Sequence, residues 1–289
     1  MSARRTWSAR TALIAISFLA LIFGTGAHRP QDGVEEPGGP KLPDAQVWYL
    51  GSNGWAMRIN DRLLIFDYQE QTDPNPPGPN EARNLSRGYI DPEELEDLDV
   101  YVFVTHSHFD HFDRVIFEWE EKIDNITYFF GWKAGDNPGH HYLAAPRGSA
   151  NIGDMKVHTI NSHHSGVPEA AFLVQVDGCT IFHNGDYRAD YVNDYKYLAT
   201  ITDRIDIAFL IGHPDPEHAY FHQAVSLADM FRPRWVFAMN REGDEHRCRE
   251  WGQLFNRRFS EVKVLSGRRR GDKFVCSATP AARGGSDER

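Results

Sequence analysis

The segment at residues 102–111, which reads VFVTHSHFDH, constrains the fold of this chain more than any other. It begins with β-branched and aromatic residues, which predict a buried strand. Three histidines and one aspartate then follow within six positions, and such residues are poorly suited to a core unless they are paired. Imidazole and carboxylate groups are, however, common ligands of divalent metals such as zinc. The segment therefore predicts a strand that leads into a metal site, rather than a polar loop that happens to be rich in histidine.

The spacing of these side chains divides them into two groups. His106 and His108 are two positions apart, so on an extended backbone they project to the same side and can bind one ion. Asp110 and His111 come after the chain turns, and they can face a second ion or orient a metal-bound water. The sequence pattern alone thus allows a site for one or two ions.

A second segment, at residues 171–186, reads as two short strands joined by an Asp-Gly dipeptide, which favours the type I′ turn of a β-hairpin. The second strand ends at Asp186. Together with the His-x-His-x-Asp-His pattern, this order of motifs resembles the metallo-β-lactamase superfamily of hydrolases and looks closest to its ascorbate-6-phosphate lactonase-like branch. The resemblance covers about residues 47–259 and implies an α/β fold, the four-layer αββα sandwich.

The resemblance also implies which residues bind metal. It places an aspartate that bridges two ions at Asp186. It implies a third imidazole for the first ion from the pair at 163 and 164, and because the ligand of the family is commonly followed by Ser or Thr, His164 is preferred and His163 is the alternative. The predicted metal ligands are therefore His106, His108, Asp110, His111, His164 and Asp186.

The sequence departs from the family pattern at the last ligand. The family usually ends a strand near the C-terminus with a histidine that binds the second metal, but here the corresponding position is Asn240. An amide oxygen can bind a metal, although it is a weaker ligand for zinc than imidazole. His246 and His213 are alternative sources of this ligand. The number of ions therefore stays open, between one and two.

The predicted chemistry follows from these ligands. A bound ion lowers the pKa of water, so that hydroxide forms near neutral pH, and we expect Asp110 to accept or orient the proton as the catalytic residue. The hydroxide would attack a carbonyl or phosphoryl centre of a small-molecule substrate of the lactone, amide or phosphodiester class. The expected cofactor is Zn²⁺, as one or two ions, with Mn²⁺ or Fe²⁺ as alternatives. The second hypothesis, favoured by Asn240, is a degenerate, non-catalytic metal-binding or sensor domain of the same fold.

Charge and composition restrict the partners and the compartment. A formal net charge of −10 argues against a nucleic-acid-binding surface, and only three cysteines argue against a disulfide scaffold. Residues 1–27 carry arginines, then an uncharged apolar stretch, then small residues, which together predict an export signal. The protein is therefore expected to be exported, periplasmic or extracellular. An uncleaved signal that anchors the protein to a membrane is the alternative.

These patterns divide the chain into four parts. Residues 1–27 are the signal peptide or signal anchor, and residues 28–44, rich in Pro and Gly, are predicted to be a disordered linker. Residues 45–275 form the hydrolase domain, and residues 276–289 are predicted to be a flexible tail. Within the domain, apolar runs and helical spacing predict strands at 100–104, 126–130, 156–160, 205–211 and 235–239, and helices at 115–123, 227–231 and 251–259.

Overall fold

The structure is a computed structural model, and it describes residues 44–78, 80–239 and 245–277. The predicted signal at 1–27, the linker up to residue 43, Asn240 and all but the first two residues of the predicted tail lie outside these ranges. Within the described ranges, no helix has the length and apolar character that are needed to cross a bilayer.

Two seven-stranded sheets form the centre of the fold, with strands numbered along the chain. The first sheet consists of β1 (Ala45–Tyr49), β2 (Trp55–Ile59), β3 (Arg62–Phe66), β4 (Asp99–Val104), β5 (Ile126–Phe130), β6 (His140–Tyr142) and β14 (Lys273–Cys276). The second sheet consists of β7 (Ser149–Ile152), β8 (Met155–His164), β9 (Val167–Val176), β10 (Cys179–His183), β11 (Ile207–Ile211), β12 (Trp235–Met239) and β13 (Lys263–Ser266). The strand orders are β14-β1-β2-β3-β4-β5-β6 and β13-β12-β11-β10-β9-β8-β7.

Aromatic side chains fill the space between the two sheets. Phe103 of β4 stacks on Phe66 and Phe129, with ring centroids 4.8 and 4.7 Å away. Its ring meets Phe172 of β9 edge to face at 5.4 Å. Because successive side chains of a strand point to opposite faces, Val100, Val102 and Val104 of β4 face the outer layer instead. Burial on both faces explains the uninterrupted apolar run of β4.

Helices cover the outer face of each sheet, which confirms the predicted α/β sandwich. The second sheet is covered by α1 (Tyr191–Leu198), α2 (Ala219–Phe231) and α3 (Glu245–Arg258). The first sheet is covered by loops and by 3₁₀ helices at Leu85–Arg87, Pro92–Leu95 and Arg114–Glu121. The helix predicted at 115–123 is thus a 3₁₀ helix. Its buried residues, Ile116 and Trp119, are three positions apart, and in a helix of three residues per turn they face the sheet together.

Most predicted elements are confirmed; β8, α2 and α3 are longer than predicted, and β14 was not predicted. The Asp177-Gly178 turn between β9 and β10 has φ of 50° and 74°, the two positive values that a type I′ turn requires. β8 continues past the predicted residue 160 to His164, because it pairs with β9 along its whole length. β14 ends at Cys276, one residue into the predicted tail, because that residue pairs with Ala45 of β1.

Candidate metal centre

The metal motif lies at the edge where the parallel strands of both sheets end. β3, β4 and β5 are parallel, so the residues that follow β3 and β4 meet at one edge. β10 and β11 end at the facing edge of the second sheet. The backbone N–H of Ala170 in β9 donates to the carbonyl of Thr105 at 3.1 Å and joins the two sheets there. Candidate ligands from distant parts of the sequence are therefore brought to a single place.

Two groups of three donor atoms are assembled at this edge. The first contains His106, His108 and His164, and the second contains His106, His111 and Asp186. Within each group the donor atoms all lie within 4.8 Å of one another, and His106 belongs to both groups. Its ring centroid is 4.7 Å from that of His108 and 4.1 Å from that of His111. Five of the six predicted ligands are therefore in reach of an ion.

The sixth predicted ligand, Asp110, lies beside the second group. Its Oδ2 is 3.9 Å from His111 Nε2, and its side chain is partly exposed. Of the histidine pair on β8, His164 is in the first group, and its Nε2 lies 3.0 Å from Asp186 Oδ2. His163 is exposed. Of this pair, the residue preferred from the sequence is the one that lies in a donor group.

The two histidines considered as a replacement for the last ligand belong to neither donor group. His213 has its Nε2 2.9 Å from the guanidinium of Arg247, and its ring stacks on His218 at 3.7 Å. His246 is exposed on α3. Neither side chain is placed to bind an ion together with the residues of the motif.

Asp67, directly after β3, is a buried partner of the site that was not predicted. It accepts hydrogen bonds from Thr105 N and Thr105 Oγ1, both at 2.8 Å, and its Oδ2 lies 2.7 Å from His111 Nδ1. Burial opposes its charge, but His111 and then His183 outweigh this effect and lower its pKa. With Nδ1 of His111 bound to this carboxylate, Nε2 is the nitrogen that faces the site.

Glu169 in β9 is a second carboxylate that was not predicted. It accepts hydrogen bonds from the Ser162 hydroxyl at 2.9 Å and from the Asp186 N–H at 2.5 Å. Its Oε1 is 3.6 Å from His106 Nδ1. Burial, followed by repulsion from Asp186, raises its pKa to about 8. An acidic residue next to an apolar strand was the signal in the sequence, since such a side chain is rarely buried without a specific partner.

The turn between β1 and β2 also reaches the centre. Asn53 is 3% exposed, and its side-chain amide lies 2.8 Å from His111 Nε2. His183, at the end of β10, approaches the Asn53 carbonyl to 3.3 Å and stacks on Phe66 with centroids 5.0 Å apart. Neither residue was predicted: Asn53 lies in a turn, which gives little sign of what it approaches, and His183 lies at the end of an apolar strand.

Unpartnered imidazole atoms show that these groups are suited to a metal. His106 Nε2 and His164 Nδ1 are buried and have no hydrogen-bond partner among the described residues. Such atoms are unfavourable unless a ligand satisfies them. Burial, with a smaller effect of His111, lowers the pKa of His106 to about 3, and burial also lowers the pKa of His164. Both rings are therefore neutral at neutral pH, which is the state that binds metal.

His111 differs from these two histidines in charge. Burial opposes its protonation, but the Asp186 and Asp67 carboxylates outweigh burial and raise its pKa well above 6.5. Burial likewise opposes the charge of Asp186, and His111 outweighs it, so the pKa of that carboxyl is lowered. In the metal-free protein, the second group is thus a buried ion pair whose proton a metal must displace.

Gly185 allows Asp186 to reach the centre. Its φ is +51°, in the left-handed region that favours glycine. A Cβ at this position would lie 2.8 Å from Glu169 Oε1 and 2.8 Å from Thr105 side-chain atoms. The close approach of β10 to β4 and β9 therefore requires a residue without a side chain.

The paired sheets and the histidine-rich donor groups at their edge define an α/β sandwich of the metallo-hydrolase type. The sequence profile of the beta-lactamase superfamily domain matches residues 46–240, which is more than half of the chain. The chain belongs to this family, whose fold is the metallo-β-lactamase fold. No curated protein matches the chain at a significant level.

Solved structures of low sequence identity share the fold. Igni18, a metallo hydrolase from Ignicoccus hospitalis, is 16% identical with a TM-score of 0.57, over 81% of this chain and 99% of that chain. YhfI from Bacillus subtilis is 13% identical with a TM-score of 0.53, over 81% and 100%. CmlA, a diiron β-hydroxylase from Streptomyces venezuelae, is 12% identical with a TM-score of 0.53, over 83% of this chain and 55% of that chain. These likenesses confirm the fold, and the ascorbate-6-phosphate lactonase-like branch stays a prediction.

Proposed function

We propose that this protein is a metal-dependent hydrolase of small molecules. The observation that carries the proposal is the sharing of His106 between two donor groups, with its Nε2 buried and unpartnered among the described residues. The first ion would be held by His106, His108 and His164, and the second by Asp110, His111 and Asp186. Zn²⁺ suits such sets of imidazole and carboxylate ligands. Mn²⁺ and Fe²⁺ are alternatives, and the diiron protein CmlA, which shares the fold, supports considering iron.

A divalent ion at this place supplies Lewis-acid activation of water and of the bond to be cleaved. The residues of the chain position the reactants around it. Asp110 is partly exposed beside His111, so its carboxylate can accept the proton of an attacking water. Glu169 holds the backbone of Asp186 and faces His106, so it fixes two of the ligands at once.

The rim of the centre favours substrates that carry an anionic group. Arg188 follows Asp186 by two positions and is exposed, and its Nε donates to the Tyr220 hydroxyl at 2.7 Å. That hydroxyl in turn donates to the Asp186 carbonyl at 3.3 Å. The guanidinium is therefore held next to a proposed ligand while it still faces solvent. Lactones, amides and phosphodiesters with a carboxylate or phosphate are the proposed substrate class.

Metal analysis combined with a substrate screen tests the proposed function. The purified protein is assayed against anionic and neutral lactones, amides and phosphodiesters, with and without a chelator. We expect at least one bound ion per chain, and hydrolysis that is lost with the chelator and in His106→Ala but kept in His222→Ala, an exposed histidine on α2. Less than one ion per chain would refute the proposal. Bound metal without any hydrolysis would instead support the non-catalytic metal-binding or sensor domain.

We also propose that the protein is exported, on the basis of the pattern at residues 1–27. N-terminal sequencing of the protein from cells that express the full chain tests this. A mature protein that begins near residue 28 in the soluble exported fraction is expected. An intact N-terminus in the membrane fraction would show the signal anchor instead.

A further inference from the structure

We propose that Asn53 is a ligand of the second metal ion through its side-chain oxygen. The inference rests on the proposed function, because it assumes that a second ion binds at His111 and Asp186. It assigns the remaining ligand to the β1–β2 turn of the first sheet, and so removes the need for a ligand after β12.

The surroundings of His111 Nε2 first suggest this assignment. The Asn53 amide lies 2.8 Å from this nitrogen, the Asp186 carboxylate 3.6 Å and the Asp110 carboxylate 3.9 Å. The imidazole thus offers one nitrogen, and each of the other three side chains offers an oxygen close to it. Four such groups are the number that a tetrahedral ion uses. Asn53 is the nearest of the three to the imidazole.

The tautomer of His111 makes its contact with Asn53 informative. Nδ1 of His111 lies 2.7 Å from the Asp67 carboxylate, to which it can only donate. Because Nδ1 keeps its hydrogen, Nε2 carries a lone pair that points toward Asn53 and the acidic groups once an ion has displaced the other proton of His111. This lone pair is the one that a metal ion would use.

The amide of Asn53 has an oxygen to offer. In the orientation with Nδ2 toward His111, Oδ1 is buried and has no hydrogen-bond partner among the described residues. The two ends of a carboxamide have nearly the same shape, so a rotation that exchanges them needs no other movement. After that rotation, Oδ1 and His111 Nε2 present two lone pairs to each other. That arrangement is stable when a positive ion lies against both atoms.

The backbone holds Asn53 in this place before any ion binds. The turn is closed by hydrogen bonds from Leu50 N to Gly54 O at 2.9 Å and from Gly54 N to Gly51 O at 2.8 Å. Trp55, the first residue of β2, pairs with Phe66 at the end of β3, so the turn lies at the same edge as Asp67 and the motif. A side chain that is already ordered loses little entropy when it becomes a ligand.

The experiment measures metal binding to the full chain rather than catalysis. The protein is stripped with a chelator and titrated with Co²⁺, with stoichiometry from native mass spectrometry and coordination from the visible absorption bands. Asn53→Ala is expected to weaken the second ion at least tenfold and to leave the first unchanged. Asn53→Asp, which keeps the shape and adds a charge, is expected to bind the second ion at least tenfold more tightly. Asn60→Ala, in the exposed turn after β2, is the matched control and should change neither ion.

An affinity for the second ion that does not fall in Asn53→Ala would overturn the proposal. If the Asn53 amide only donates a hydrogen bond to His111, it competes with the ion, and Asn53→Ala would then bind the second ion as well as the parent protein or better. Loss of the second ion in Asn240→Ala, with no effect of Asn53→Ala, would return the ligand to the segment after β12. A parent protein that binds one ion only would refute this assignment and leave the hydrolase proposal standing. Binding of no ion at all would refute both.

Discussion

At the scale of single residues, His106 is the side chain on which the metal centre depends most. It belongs to both donor groups, and its orientation is set by contacts of Nδ1 with Thr105 Oγ1 at 3.1 Å and with Glu169 at 3.6 Å. Loss of an outer partner of a ligand usually costs about 10–100-fold in metal affinity. Loss of a ligand itself should cost more.

We therefore expect His106→Ala to weaken the binding of the first ion by more than about 100-fold. Competition against a chromophoric chelator measures this. His222→Ala is the control, because this histidine is exposed on α2. An affinity for the first ion as high in His106→Ala as in the parent protein would contradict this role.

The two sites should also respond differently to pH. The pKa of His111 is raised well above 6.5, so below that raised value the second ion must displace a proton, and its apparent affinity should fall about tenfold for each unit that the pH is lowered. The pKa values of His106 and His164 are lowered, so the first ion meets neutral rings there. Calorimetric titrations at pH 6, 7 and 8 should show affinity rising with pH for the second ion and much less for the first. Equal dependence of the two affinities on pH would contradict the conclusion that His111 is protonated while His106 and His164 are neutral.

Gly185 provides a test of the backbone that carries Asp186. Gly185→Ala places a Cβ in a left-handed conformation and against Glu169 and Thr105, so we expect a loss of about 1–3 kcal/mol in the free energy of unfolding. Urea denaturation of the metal-free protein measures it. Gly178→Ala is the matched control: its φ is also positive, at +74°, but no atom lies within 4 Å of the added Cβ. The difference between the two variants isolates the close contact, and equal losses would show that the contact is unimportant.

At the scale of elements, β4 joins the core to the centre. Phe103 is fully buried between the sheets, whereas Thr105 and His106, just beyond the end of the strand, form the site. We expect Phe103→Ala to lower the free energy of unfolding by about 3–5 kcal/mol, because it leaves a cavity among three stacked or edge-on rings. Chemical denaturation in the presence of chelator measures this without interference from metal. Phe109→Ala, at a ring that is 50% exposed, should cost much less.

The elements that could be predicted from the sequence are those that carry a local pattern of residue types. The run of β4 and the Asp-Gly hairpin both carry local patterns, and both are confirmed. Asp67 and Asn53 lie in turns, and nothing local shows that they reach the centre. Asp67 could have been found by reasoning that parallel β3 and β4 end at the same edge, which places it beside Thr105. To predict the position of Asn53, the register between β2 and β3 would have to be known, and the sequence pattern does not reveal it.

At the scale of the whole molecule, metal and fold should stabilise each other. The donor groups combine His106, His108 and His111 after β4 with His164 and Asp186 of the second sheet, so an ion binds the folded state and not the separated segments. A free ion at 100 times its dissociation constant should add about 2.7 kcal/mol per site to the free energy of unfolding. Thermal denaturation at increasing Zn²⁺ concentration should show a rising Tm that chelator reverses. A Tm that does not depend on metal would mean that the groups do not bind an ion in the folded state.

A second connection between the two sheets lies at the other end of the sandwich. There Arg62, at the start of β3, bonds Asp154 at 2.6 Å and Asp177 at 2.9 Å, two residues in turns of the second sheet. The two sheets are thus joined at one end by the ion pairs of Arg62 and, in the proposed metal-bound protein, at the other end by the ion. Separation of the two sheets would have to break both connections. The affinity of the proposed metal centre would then also report how closely the two sheets are held together.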